Sequence, residues 1–209
     1  MLQQGPLGEA AAGVLVTSFD GYLRPSSAPR ISGADVHFAA AAVGRGYPRV
    51  TVAIAPLHAG DGGEPRPRLK NNDHDMTPVF GDQASLKAGR SFVAELLVRL
   101  QSQRPPHQPL FPLKLPEYER HFNGAVDALH LSRLDITPQR ARHGGPSVDA
   151  ARGLRSIAEI QKRGTWRAAS SVRRYEMAGA LMRQLEKVPR PLLQSFPAKL
   201  VQLKAALLR

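Results

Sequence analysis

One stretch of this sequence alternates cleanly along its length: Val50, Val52 and Ile54, within R-V-T-V-A-I-A-P-L. Period-two alternation of β-branched residues marks a half-buried strand. Most of the chain beyond it repeats at helical spacing instead. A chain with so little strand has to build a small sheet and cover it with helices.

The remaining segments fit that frame. Residues 7–18 (LGEAAAGVLVTS) read as a helix, interrupted by Gly21 and Pro25 in F-D-G-Y-L-R-P-S-S. Candidate strands cover 35–43 and 49–57, joined by a turn over Gly44–Pro48, and a short third strand is expected near Met76–Phe80. Residues 58–69 form a loop dense in Gly, Pro and Arg. Leu86, Phe92, Leu96, Leu97 and Leu100 give 83–102 a helical period. The prolines of 105–116 (PPHQPLFPLKLP) exclude a helix and place that stretch on the surface. Further helices are expected over 117–131, 151–163, 171–187 and 197–209. Thr137-Pro138 supplies an N-cap and a first-turn proline for another. The expected fold class is α+β, mostly α-helical, with a small three-stranded antiparallel sheet near the N-terminal half.

Composition narrows the function. With 29 Lys plus Arg against 17 Asp plus Glu, the net charge of +12 favours a polyanionic partner, most often nucleic acid. An apolar share of 42% is too high for a disordered polycation. Aromatics at 6% argue against a broad base-stacking platform. No apolar run is long enough for a transmembrane helix, and the N-terminus is no convincing signal peptide. The lack of cysteine excludes disulfides, thiolate zinc and a Cys nucleophile. There is no phosphate loop or HExxH helix, and the seven histidines show no ligand spacing.

The stretch 137–176 (TPQRARHGGPSVDAARGLRSIAEIQKRGTWRAASSVRRYE) carries the chemistry. Arg142 begins R-H-G-G, Trp166 follows 24 residues later in R-G-T-W, and Tyr175 lies nine beyond that in R-R-Y. In this order and spacing the chain resembles the tyrosine recombinases, the phage-integrase-like family, and in flavour those of eukaryotic mobile elements. That family's second box is usually H-x-x-R, followed by His or Trp and then the nucleophilic Tyr. Upstream, G-Y-L-R-P-S resembles the first box, G-x-R-x-x-E, and makes Arg24 the first catalytic arginine. Ser27 stands where an acidic residue is usual. Lys70, between the second and third candidate strands, matches the family's strand-turn lysine.

The resemblance implies a role for each residue. Arg24 and Arg142 would pair with the nonbridging oxygens of a phosphodiester and neutralise developing charge. Tyr175 would attack phosphorus and form a 3′-phosphotyrosyl link. Lys70 would protonate the departing 5′-oxygen. Trp166 would donate its indole N–H to a phosphate oxygen. Gln139 occupies the usual His place and cannot shuttle a proton, which implies slower chemistry. His143, four residues on and on the same helical face, is the candidate to replace it. Singly, Arg24 reads as a surface charge, Lys70 as a solvated loop residue and Trp166 as a core anchor; their joint order favours a site. Basic runs at 140–142, 152–155, 162–167 and 173–174 read as contacts to flanking phosphates or as a solvated face.

The implied organisation is a catalytic domain over 1–188 and a C-terminal helical tail over 189–209, without the family's N-terminal DNA-clamping domain. The implied partner is double-stranded DNA, with a homo-oligomer formed through the C-terminal helix, where Leu200, Leu203 and Leu207 make a stripe. Packing of that helix on its own domain is the competing arrangement. No cofactor, no metal, no membrane and no small-molecule substrate are expected. Two other readings stay open: a relative that binds DNA without cutting it, and a basic RNA-associated structural protein.

Overall fold

A computed structural model describes residues 1, 5–38, 50–54, 77–176 and 178–209. Helix α1 (Gly5–Gly21) precedes β1 (Val36–Phe38), β2 (Val50–Val52) and β3 (Val79–Phe80). Then come α2 (Gln83–Lys87), α3 (Phe92–Ser102), α4 (Leu115–Ala128), α5 (Pro138–Ala151), α6 (Ile157–Arg163), α7 (Ser170–Arg173), α8 (Ala178–Glu186) and α9 (Arg190–Leu207). The described chain is mostly helical with one three-stranded antiparallel sheet, in the order β1-β2-β3.

The strands are shorter than the alternation suggested. Val36 faces Val52 and Phe38 faces Val50 across one ladder; Val50 faces Phe80 across the other. Val50, Val52 and Phe80 are buried, so one face of this small sheet lies on the core. That core joins Ala11 and Val14 of α1, Phe92, Val93, Leu96 and Leu97 of α3, and Tyr118 and Phe122 of α4. The turn expected over Gly44–Pro48, the loop 58–69 and Lys70 fall outside the described residues.

Four expectations are corrected. The helix expected over 151–163 begins only at Ile157, because Ala151 ends α5 and Ser156 caps a new helix. The helix expected over 83–102 is two helices, because Gly89 adopts a left-handed φ of 72° and Arg90 N–H closes back on Ser85 O at 2.7 Å. The stretch 105–116 is not helical before Leu115, but neither does it run over the surface. Ser32 and Pro109 form a β-bridge, and Leu110, Phe111 and Leu113 are buried in the core. The segment 171–187 is not one helix: a 3₁₀ turn over Arg174–Glu176 separates α7 from α8. Thr137 and Pro138 do begin α5, at the N-cap and first turn.

The last turn of α9 returns to its own domain. Ala206 and Leu207 are buried, Leu203 packs beside them, and the Arg99 guanidinium donates to the Leu207 and Arg209 carbonyls. Two of the three stripe leucines are therefore used within the chain, while Leu200, Phe196 and Val201 stay exposed. Among the described residues, no helix is long and apolar enough to cross a membrane.

Candidate active site

Helix α5 crosses the end of α1 at close range. A Cβ on Gly145 would collide with the Phe19 backbone oxygen and the Tyr22 ring, so only glycine permits this approach. The approach brings Arg142, 4% exposed, to the C-terminal ends of two helices. Its Nη1 donates to Tyr22 O at 2.8 Å, just past α1, and its Nη2 donates to Gly164 O at 2.6 Å, just past α6. The two ends are built alike. Tyr22 (φ 55°) and Thr165 (φ 52°) occupy left-handed positions, with Leu23 N–H closing on Ser18 O and Trp166 N–H on Gln161 O. Helix C-termini carry partial negative charge, which suits a guanidinium.

Among the described residues Arg142 is nevertheless a cation without an anion. Among the described residues no carboxylate pairs with it or with Arg24. Burial, then the nearby charge of Arg24, push the Arg142 pKa down to about 10. Two of its five N–H donors are used on carbonyls, leaving three. Its guanidinium also lies 4.9 Å from the Trp166 ring centre.

Trp166 is the hub of the site. Its ring centre lies 5.3 Å from Tyr175, 6.5 Å from His143 at an interplanar angle of 24°, and 6.3 Å from Tyr22. Tyr175 sits on the 3₁₀ turn after α7, only 3% exposed, in a small apolar cluster with Ile160 and Val172. Its Oη lies 2.6 Å from Nδ1 of His143. Burial raises the Tyr175 pKa to about 12, with Arg174 and Arg142 pulling against it. Burial and the charges of Arg174, Arg142 and Arg140 lower the His143 pKa, so the imidazole is neutral at neutral pH. In the tautomer protonated at Nε2, the phenol donates and Nδ1 accepts.

The structure thus brings together Arg142, His143, Trp166 and Tyr175, with Arg24 near enough to perturb Arg142. Gln139 does not join them: it is exposed on the first turn of α5, without a hydrogen bond to the group. Lys70 lies outside the described residues.

A second layer, not foreseen from the sequence, underlies this group. Asp20, Asp82 and Asp149 interleave with Arg90, Arg155 and Arg163. Arg90 contacts Asp20 and Asp149, each at 2.7 Å; Arg155 contacts Asp82 at 2.6 Å and Asp149 at 3.1 Å. Arg163 lies 3.8 Å from both Asp20 and Asp82. Three cations meet three anions, so this layer is neutral and Arg142 stands apart from it. Arg155 and Arg163, counted in the basic runs, face aspartates. Partners up to 143 positions apart leave no local motif by which they could be read. Beside Trp166, a groove of about 720 Å³ between β3 and α6 is lined by Lys162 and Arg167, by Arg155 and Arg163 of the layer beneath, and by the carboxylates Asp82 and Glu159. No protein-family model matches this sequence, and no curated protein matches it either.

Proposed function

We propose that this chain cleaves and rejoins a DNA strand through a 3′-phosphotyrosyl link, as a tyrosine-recombinase-like catalytic domain serving DNA integration or recombination. The observation that carries this reading is a buried guanidinium that pairs with no carboxylate among the described residues, set beside a tyrosine hydroxyl. Arg90, Arg155 and Arg163, all less buried than Arg142, each have an aspartate. An uncompensated buried charge is unfavourable unless the site is completed by an anion. A phosphodiester supplies one, and the three remaining N–H donors of Arg142 suit its nonbridging oxygens.

The step follows from the groups present. His143 takes the phenolic proton as Tyr175 Oη attacks phosphorus. The bond to the 5′-oxygen breaks, and that oxygen leaves with a proton from Lys70 in its expected role. Arg142 and Arg24 offset the charge gathering on the nonbridging oxygens. Trp166 packs against the tyrosine, histidine and arginine and keeps them together. Reversal of the same steps rejoins the strand. His143 here takes the place that Gln139 leaves vacant. The groove beside Trp166, with Lys162 and Arg167 on its rim, takes the flanking backbone.

Incubation with a nicked duplex, followed by a denaturing gel, tests the reading. A protein–DNA adduct formed by the wild type and lost in Tyr175→Phe supports it. DNA retention without any adduct supports the binding-only relative. Preferential RNA retention without an adduct supports the RNA-associated alternative.

A further inference from the structure

Tyr22 joins the two layers of the site, and nothing in its sequence context marks it. It is wholly buried. Its hydroxyl donates to the carboxylate of Asp149, which is itself gripped by Arg90 and Arg155. Its ring lies against Trp166 on one side, with the Arg163 guanidinium 5.4 Å from its centre. Its carbonyl receives the Arg142 Nη1. The backbone between these attachments is left-handed, a conformation that favours glycine.

We propose that Tyr22 is the positioning residue for Arg142, with Asp149 as its anchor. This rests on the reading that Arg142 binds the scissile phosphate. A glycine would make the left-handed turn without strain, but it would leave the carbonyl free to swing. A tyrosine whose hydroxyl is tied to Asp149 cannot let the turn rotate without dragging the phenol off a carboxylate held by two guanidiniums. The carbonyl therefore stays aimed at Arg142, and the remaining N–H groups of Arg142 stay aimed at the phosphate site. Strain held at a site by surrounding contacts in this way serves preorganisation. The neutral Asp–Arg layer thus acts as the rigid base of the site.

Tyr22→Phe is the test, because it keeps the ring and both ion pairs of Asp149 and removes one oxygen. A thermal melt reports that the variant is folded. The single-turnover adduct rate on a nicked duplex should fall about tenfold, since small misplacements of reacting groups weigh heavily on rate. Affinity for the same duplex, read by gel shift, should not change. In an Arg142→Lys background, where the two-carbonyl fork is already lost, Tyr22→Phe should bring no further fall. A wild-type rate in Tyr22→Phe, or an equal fall in both backgrounds, overturns the proposal. Absence of any adduct in the wild type would instead refute the phosphodiester reading. Positioning is then read from the Arg142 Nε–H signal by ¹⁵N NMR with inorganic phosphate. A signal and phosphate response altered by Tyr22→Phe uphold the proposal, and unchanged ones overturn it.

Discussion

Replacing His143 by alanine isolates the proton transfer. With the Tyr175 pKa near 12, ionising the phenol at pH 7 is uphill by roughly 7 kcal/mol. A base within 2.6 Å removes that pre-equilibrium by taking the proton as the oxygen attacks. General-base assistance of this kind is worth ~10²–10⁴ in rate, so His143→Ala should lower single-turnover cleavage of a nicked duplex at least about 10²-fold. The fold should lose only about 1–2 kcal/mol, because one hydrogen bond and a ring contact are removed. The pH profile separates the two effects. In the wild type the rate should stay level through neutral pH. It should fall only below the ordinary His range, because burial and three arginines hold the His143 pKa down. In His143→Ala, log rate should rise with a slope near one from neutral pH toward the Tyr175 pKa. His143→Gln should behave like the alanine variant, since a glutamine accepts a hydrogen bond without taking the proton. A wild-type rate in His143→Ala, or the same pH profile in both proteins, would refute the reasoning.

Four further variants have expected outcomes. Gly145→Ala should lower the melting temperature, at a cost of about 1–3 kcal/mol for overpacking, because the new methyl meets Phe19 backbone that cannot step aside. Asp82 sits at a pKa of about 2; burial opposes ionisation, but the bond from Arg155 and the Ser85 N–H outweigh it. Its stabilisation is complete above the ordinary Asp range and is lost as pH falls through about 2, so acid unfolding of Asp82→Asn should be flatter over that window. Lys162→Ala on the groove rim should reduce the slope of log affinity against log salt by about 0.9, whereas Arg90→Met should leave that slope unchanged and lower thermal stability, since Arg90 faces two aspartates.

The chain order of elements was legible because it rests on local signals. Alternation at Val50, Val52 and Ile54 marked the central strand, and Thr137-Pro138 marked the start of α5. Helix ends were less legible where they depend on a left-handed residue. Gly89 is an ordinary signal for such an end, but Tyr22 and Thr165 are residues that rarely adopt the conformation. Leu110 and Phe111 looked like surface residues because prolines surround them. They are buried because the stretch is pinned by the Leu110 N–H, which donates to Ile31 O, and by a bridge between Pro109 and Ser32. In the candidate site, Arg142, Trp166 and Tyr175 were legible through the family resemblance that their order and spacing carry, and His143 through the helical face it shares with Gln139; the four come together. Gln139 was assigned by position alone, and its side chain stays outside. Tyr22, Asp20, Asp82 and Asp149 were invisible because they act through contacts with distant segments. The basic runs were only half legible: charge counts cannot separate Arg155 and Arg163, neutralised from within, from Lys162 on the groove rim.

Chemical identification of the linked residue decides whether Tyr175 is the nucleophile. A duplex labelled at the phosphate of a nick-proximal scissile position is incubated with the full chain, the protein is digested, and the labelled peptide is sequenced by mass spectrometry. Label is expected on the peptide containing Tyr175, carried as a phosphotyrosyl bond to a 3′-phosphate, and no labelled peptide from Tyr175→Phe. Label on any other residue, or duplex binding with no labelled peptide at all, would contradict it.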